Sequence, residues 1–261
     1  MVFVLEGILW LFRFAIGACI FSFLNAAAYR LTVGESILHG RSHCPGCGKL
    51  LTARELIPCV SYLAQRGKCL GCGMNIRGRY VWMEFAGGAA FVCCGLCFGC
   101  GEYGILSLRG CIAFIYLSIL AVVALVDWDT RIIYDRFHIG ILLLGAASLW
   151  AFPEHSVTDR FIGMFLVSVP MLLLAFLIAG AFGGGDIKLM AASGFLLGTK
   201  AICVAMFLGL LSGGVYCVRM MVKGTLSRKD SFAFGPFLAF GLAAAFFWGD
   251  QIAGWYLSLL R

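Results

Sequence analysis

Two acidic positions interrupt the apolar sequence at points where a carboxylate would be costly. Asp186 follows the glycine run 183–185 between two long apolar stretches, and Asp127 follows another such stretch. An acidic side chain inside or at the edge of a membrane span is a functional-site hypothesis by default. Two carboxylates that share a site do not both ionise easily, so one ionised and one protonated group can activate a water and protonate a leaving amine. The pattern therefore suggests an aspartyl protease dyad.

Asp129 competes with Asp127 for the role of the second acid. If the span before them stays helical to its end, residues two positions apart point about 200° apart, so only one can face the glycine run. Asp127 follows an apolar triplet, whereas Asp129 precedes Thr130-Arg131. We therefore expect Asp127 to be less hydrated and Asp129 to be solvated or paired with Arg131, and we predict Asp127 and Asp186 as the catalytic residues.

Other interpretations of these acids stay open from the residues alone. Asp186 could cap the helix that follows it, and Asp127 could be a solvated span end. A second class of function would use the same acids without hydrolysis, in a membrane scaffold or in an ion-coupled transporter. Transporters often show internal repeats or broken helices, and no convincing repeat is visible. Glu84, which lies in another apolar stretch, could pair with a basic residue or serve a second site.

The cysteines point to a metal site in the polar part of the chain. Of thirteen cysteines, four form two CxxC pairs in the polar segment 30–79, each pair followed by glycine. Four thiolates in this pattern suit tetrahedral zinc, and a site closed by four protein ligands would be structural rather than catalytic. The 21 residues between the pairs slightly exceed the usual range of about 15–20. Reduced CxxC turns or a redox site are the alternatives. The predicted ligands are Cys44, Cys47, Cys69 and Cys72.

Composition indicates a membrane protein. Of the 261 residues 62% are hydrophobic and 13% are charged, which is too apolar for a soluble core. The fold class predicted is an all-α polytopic membrane protein with about eight transmembrane helices. The first apolar run suits a retained span better than a cleaved signal peptide. The net charge of +7 need not indicate nucleic acid, because basic loops orient membrane proteins, so we expect contact with lipid and none with nucleic acid.

Loop charge predicts the topology. Residues 30–79 carry eight basic residues, which places this segment in the cytoplasm. The stretch 187–222 could be one helix or two short spans broken near Gly198, and the basic residues Lys223, Arg228 and Lys229 favour two. A short turn at 101–103 would lie outside. The predicted spans are 4–28, 80–100, 104–126, 134–151, 160–182, two within 187–222, and 232–258. Asp127 and Asp186 would then both lie at the cytoplasmic face.

Several motifs resemble one family in the same order along most of the chain. The protease-like part contains Asp127 with Asp135 eight residues later, Gly183 to Leu189, and Phe234-Gly235-Pro236. In the N-terminal part the matching motifs are Ser22-Phe23-Leu24-Asn25, Tyr29-Arg30-Leu31, the two CxxC pairs with Ile57-Pro58 and Ser61-Tyr62-Leu63 between them, and Arg79-Tyr80 followed by Glu84. The chain thus resembles the type IV prepilin peptidases, which are bifunctional leader peptidase/N-methyltransferases.

The resemblance implies a GxGD-type aspartyl protease of the bacterial cytoplasmic membrane. Such a protein cuts the basic leader from prepilins or pseudopilins and methylates the new N-terminus with S-adenosylmethionine. It implies three parts: a first transmembrane helix at 1–29, a zinc-knuckle cytoplasmic domain associated with methylation at 30–79, and a protease core at 80–261. Methylation rests on the resemblance alone, since residues 30–79 contain no glycine-rich cofactor loop. Tyr134 stands where the family usually has proline, which questions the start of the fourth span.

Overall fold

The structure is a computed structural model that describes residues 2–37, 40–100, 106–178, 180–225 and 232–259. The chain divides into two compact units, residues 1–114 and residues 115–261. The described residues are almost entirely helical, with two isolated β-bridges and no longer strand. The predicted turn at 101–103 and the basic residues Arg228 and Lys229 lie outside the described residues.

The first unit contains two long helices joined through the polar segment. These are α1 (Val2–Val33) and α3 (Arg79–Phe98), and the segment between them holds a 3-10 turn (Ala53–Leu56) and the short α2 (Val60–Ala64). A side chain at Gly87 would overlap Phe21 and approach the carbonyl oxygen of Gly17. Glycines at this crossing therefore let α1 and α3 pack backbone to backbone, as small residues do in lipid.

The second unit begins within α4 (Leu108–Thr130) and contains the remaining helices. They are α5 (Asp135–Ala151), α6 (Val157–Leu166), α7 (Ser168–Leu177), α8 (Gly184–Leu197), α9 (Thr199–Val222) and α10 (Gly235–Leu259). The stretch 187–222 is two helices that part at Gly198, whose φ is +80°. The predicted break is confirmed.

Six stretches of the described chain are long and apolar enough to cross a membrane. They are α1, α3, α4, α6 with α7, α9 and α10. This count differs slightly from the predicted one of about eight, because α5 and α8 are shorter than the other apolar stretches. With 17 and 14 residues, α5 and α8 extend about 26 Å and about 21 Å, against a hydrocarbon core of about 30 Å.

The predicted fifth span is interrupted at Val167, where α6 ends and α7 begins. Pro170 explains the break, because proline has no N–H to donate and its ring clashes with the carbonyl group of residue i−4, here Leu166. The two halves still form one apolar stretch from Val157 to Leu177.

Two features place the short helix α8 against its neighbours. A Cβ at Gly163 of α6 would lie 2.7 Å from the carbonyl oxygen of Gly194, and one at Gly194 would overlap Gly163 in return. Arg160 of α6 is fully buried and donates to the hydroxyl of Ser148 at 2.6 Å and to the carbonyl oxygen of Leu196 at 3.1 Å. This guanidinium joins the C-terminal ends of α5 and α8.

Gly194→Ala should therefore destabilise the second unit, because its methyl group meets backbone atoms that cannot yield cheaply. Gly214→Ala is the matched control, since a Cβ there has nothing within 4 Å. We expect Gly194→Ala to lower the thermal unfolding midpoint and the yield of monodisperse protein in detergent, and Gly214→Ala to leave both unchanged or higher. Equal behaviour of the two variants would contradict the close crossing.

Candidate functional site

Asp127 lies inside α4, one turn before its end, because the helix continues to Thr130 rather than stopping at the predicted residue 126. Its side chain is buried, with 5% of the residue exposed. One carboxylate oxygen accepts the backbone N–H of Gly235 at 2.9 Å. A Cβ at Gly235 would lie 2.7 Å from this oxygen, so the contact requires glycine at the start of α10. The hydrogen bond joins positions 108 residues apart.

The chain turns sharply after α4. Arg131 adopts the left-handed conformation with φ +57°, and its N–H donates to the carbonyl oxygen of Asp127 at 2.8 Å. A non-glycine residue in this conformation ends the helix at some cost. The linker then passes over the start of α8, where a Cβ at Gly185 would lie only 3.0 Å from the Cβ of Ile133. Gly185 thus permits the close approach of the α4–α5 linker.

Asp186 is the third residue of α8, and its side chain is partly buried. Its carboxylate accepts the backbone N–H of Gly183 and lies close enough to Asp127 to interact with it electrostatically. The two acids predicted from the sequence are thus within range of an electrostatic interaction, although 59 positions separate them. Gly184 is exposed and has open space where a side chain would be.

Two other charged residues near these acids, Asp129 and Lys188, lie in more exposed positions. Asp129 is exposed, whereas Asp127 is buried, as expected for two residues on opposite sides of one helix. Lys188 donates to a carboxylate oxygen of Asp135 at 2.7 Å, so it joins the beginnings of α5 and α8. This ion pair lies at the exposed start of both helices.

Tyr134 occupies the position before α5 without disturbing its start. Its φ of −74° and ψ of 139° are values that proline can also adopt. The helix begins at Asp135, one residue after the predicted start of the span. The guanidinium of Arg136 lies 4.6 Å from the centre of the Tyr134 ring and stacks over it. The departure from the proline pattern therefore leaves the local backbone intact.

The two CxxC pairs in the first unit form matching turns. The N–H of Cys44 donates to Lys49 O, and the N–H of Cys69 donates to Met74 O, both at 2.9 Å. The glycines after each pair, Gly48 and Gly73, have φ values of +71° and +72°. Each turn is closed by one antiparallel bridge, His43 with Leu50 and Lys68 with Asn75. The same local backbone is thus built twice.

The four thiols of these turns converge on one point. Their sulfur atoms all lie within 4.8 Å of one another, and those of Cys44 and Cys72 are 3.8 Å apart. A tetrahedral ion with Zn–S bonds of about 2.3 Å needs sulfur separations of about 3.8 Å. Hydrogen bonds from the N–H groups of Cys72 and Gly71 lower the pKa of the Cys69 thiol to about 6. This donor set could hold a metal ion, and it offers no fifth protein ligand among the described residues.

The structure shows the partners of Glu84, whose role could not be decided from the sequence. It lies in α3, is 9% exposed, and accepts the hydroxyl of Ser22 and the N–H of Cys59, both at 2.7 Å. Cys59 has φ +60° and ψ −46°, and Val60 N–H donates to Pro58 O at 2.6 Å across it. These features define a classic γ-turn, which is rare and strained. The carboxylate thus joins α1, α3 and the turn before α2.

Family models match both halves of the chain. Residues 15–98 match the bacterial peptidase A24 N-terminal domain, and residues 114–218 match the type IV leader peptidase family. A prepilin leader peptidase/N-methyltransferase of Bacillus subtilis is 33% identical over 94% of this chain and 97% of its own length.

Proteins of the same name from two other bacteria are also similar. The one from Stutzerimonas stutzeri is 30% identical over 92% of this chain and 82% of its own length. The one from Aeromonas salmonicida is 29% identical over 84% of this chain and 75% of its own length. No solved structure matches the chain.

The contacts of Glu84 predict a specific effect on the turn that it holds. Glu84→Ala removes the acceptor of the Cys59 N–H, and a buried N–H without a partner costs about 1–3 kcal/mol. Glu84→Gln is the matched control, because its amide oxygen can still accept this bond. We expect faster amide exchange over residues 57–65 in Glu84→Ala and near-normal exchange in Glu84→Gln, measured by mass spectrometry. Equal exchange in both variants would exclude this role.

Proposed function

The chain belongs to the type IV leader peptidase family, and we propose from this that Asp127 and Asp186 cleave a basic leader from prepilin-like substrates. The resemblance inferred from the motifs is confirmed by relatives that match 94% and 92% of the chain. Membership in this family, with six helices able to span a membrane, makes the chain a multi-pass protein of the bacterial cytoplasmic membrane. It also decides against the scaffold and transporter alternatives.

The observation that carries the proposal is the meeting of the two acids in the second unit. Asp127 is buried and accepts the N–H of Gly235, and Asp186 accepts the N–H of Gly183 and interacts electrostatically with Asp127. Two such carboxyl groups titrate as a pair and retain one proton between them over part of the pH range. The ionised group can then take a proton from a water while the protonated group donates to the leaving amine.

Access for a peptide is provided at the glycine run. Gly184 is exposed, and no atom lies within 4 Å of the position that its Cβ would take. An extended substrate backbone can therefore lie against residues 183–185 next to the Asp186 carboxylate. The neighbouring Gly185 is covered by Ile133, so we place the substrate on the Gly184 side.

We assign the four-cysteine cluster to a structural zinc ion. The sulfur spacing fits a tetrahedral thiolate site. Cys44 and Cys69 are buried, and Cys47 and Cys72 are exposed. When bound, the ion would join the two turns into one small domain within residues 30–79. His43 and Cys59 do not belong to the cluster.

We extend the second activity in the relatives' names, N-methyltransferase, to this chain. S-adenosylmethionine would supply the methyl group for the amine released by cleavage. In this division of roles the segment 30–79 is associated with methylation, and the helices of 80–261 carry the protease. The first helix, predicted as 1–29, extends to Val33 in the structure.

Substitution of each acid in turn distinguishes the proposed catalytic pair, Asp127 and Asp186, from the nearby Asp129. Asp127→Asn and Asp186→Asn should each lower cleavage of a prepilin-like peptide by about 10³-fold, because one proton-transfer group is lost. Asp129→Asn is the matched control and should retain most activity, since Asp129 is exposed on the other side of α4. Cleavage is followed by mass spectrometry, and gel filtration checks folding. If Asp129→Asn is inactive and Asp127→Asn is active, Asp129 rather than Asp127 is the partner of Asp186.

Metal analysis tests the cysteine cluster. Purified protein should carry about one zinc per chain, and Cys44→Ser should lose it, with faster tryptic cleavage within residues 40–75 because structural zinc stabilises its fold. Cys59→Ser should keep the metal, since its thiol lies outside the cluster. Wild-type protein without metal, or loss of metal in both variants, would refute the four-ligand site.

A further inference from the structure

Tyr116 lies deep in the second unit, and the proposed chemistry does not use it. It shares α4 with Asp127, and both residues are buried. Eleven positions separate them, which corresponds to three helical turns and about 20°. The two side chains therefore lie on one face of α4, about 16 Å apart along the helix axis.

This face of α4 meets α10 at both levels. The carboxylate of Asp127 accepts the N–H of Gly235 at 2.9 Å. The ring of Tyr116 lies 5.4 Å from the ring of Phe246, measured between ring centres. Gly235 and Phe246 are also eleven positions apart, so both contacts belong to one antiparallel register of α4 and α10.

The same face of α4 also meets α8 at both levels. Asp186 interacts electrostatically with Asp127, and the hydroxyl of Ser193 lies close enough to act on the hydroxyl of Tyr116. Ser193 follows Asp186 by seven positions, which is about 20° short of two turns, so these two residues lie on one face of α8. Each of the two levels of α4 thus contacts both α8 and α10.

The hydroxyls of Tyr116 and Ser193 have few alternatives to each other. Both residues are fully buried, and neither oxygen has another hydrogen-bond partner of ordinary geometry in the described part of the chain. Polar side chains in such surroundings join helices, because lipid and apolar side chains offer them no partner. Phenylalanine and alanine would fill the same positions without burying a polar atom, so apolar packing does not account for the two hydroxyls.

We propose that Tyr116 and Ser193 are positioning residues that hold the two catalytic acids at their working separation. The inference rests on the proposed peptidase function and adds two residues that act through the acids without touching the substrate. Asp127 and Asp186 are carried by different helices, so a slide or rotation of α4 against α8 changes the distance between their carboxyl groups. The hydroxyl pair, with Phe246 packed against Tyr116, opposes this movement.

The separation of the carboxyl groups decides how they share a proton. Like charges that lie close together resist ionising at the same time, and a larger separation weakens this effect. The pH range in which one group is ionised and the other protonated then becomes narrower, and misaligned groups transfer protons less efficiently. Loss of the hydroxyl pair should therefore act on the chemical step rather than on substrate binding.

Removal of one oxygen at a time tests the positioning role. The full-length protein in detergent is assayed with one prepilin-like peptide. We expect Tyr116→Phe and Ser193→Ala each to lower kcat about tenfold, to change KM less than about twofold, and to narrow the bell-shaped pH profile of kcat/KM. The double variant should also lose about tenfold rather than about 100-fold, because it leaves no buried hydroxyl without a partner.

Tyr256→Phe and Ser212→Ala are the matched controls and should keep the activity and the pH profile of the wild type. Tyr256 is 57% exposed near the end of α10, and the Ser212 hydroxyl donates to Leu208 O of its own helix at 2.8 Å. Each kcat is referred to the amount of folded protein, measured by gel filtration. Should Tyr116→Phe fold poorly, the kcat and pH profile of Ser193→Ala decide.

A contribution to stability alone predicts a different result. The single variants would then keep a pH profile of wild-type width and a normal kcat per folded molecule, and this would overturn the positioning role. Losses that multiply to about 100-fold in the double variant would also overturn it, because the two hydroxyls would then act independently. Wild-type protein that does not cut the peptide would overturn the proposed function and the positioning role together.

Discussion

The hydrogen bond from Gly235 N–H to the buried carboxylate of Asp127 is the constraint on which the second unit depends. A carboxylate that is 5% exposed has to find polar partners within the protein, because little water reaches it. The partner is a backbone group at the start of α10, so the donor keeps its position only if α10 begins there. No larger residue fits at 235, since a Cβ would meet the carboxylate. One contact therefore fixes the position of the Asp127 carboxylate, the beginning of α10 and the glycine at position 235.

The second acid depends on how α8 is held, since Asp186 is in its first turn. This helix is about 21 Å long, too short for its ends to be set by the thickness of the membrane. Contacts with neighbouring helices hold it instead. Its backbone meets α6 at Gly163 and Gly194, and the buried Arg160 of α6 donates to the carbonyl oxygen of Leu196 near its C-terminal end. Near its start, Lys188 forms an ion pair with Asp135. The position of α8 therefore depends on glycine contacts, one buried guanidinium and one exposed ion pair.

The sequence predicted the features that leave a local pattern. Apolar length and loop charge gave the helical class and the break at Gly198, and the placement of acids in apolar runs indicated Asp127 and Asp186. The number of long apolar helices differs from the predicted number of spans because α5 and α8 are apolar but short, and the division at Val167 follows from Pro170, which does not interrupt the apolar pattern. The partners of Glu84 and the Asp127–Gly235 bond join positions 25 to 108 residues apart, and no local pattern encodes such pairs.

The two candidate sites differ in whether they leave an opening for water, and this difference follows from their chemistry. The cysteine cluster uses four sulfur atoms from two matching turns, so each coordination position of a tetrahedral ion would be filled by protein. Under the proposed function, the open space at Gly184 lets a substrate approach the partly buried Asp186 carboxylate. Hydrolysis requires such an opening, whereas a structural ion is held best without one. Glycine serves both needs: at Gly48 and Gly73 its positive φ closes each turn, and at Gly184 its missing side chain keeps the site open.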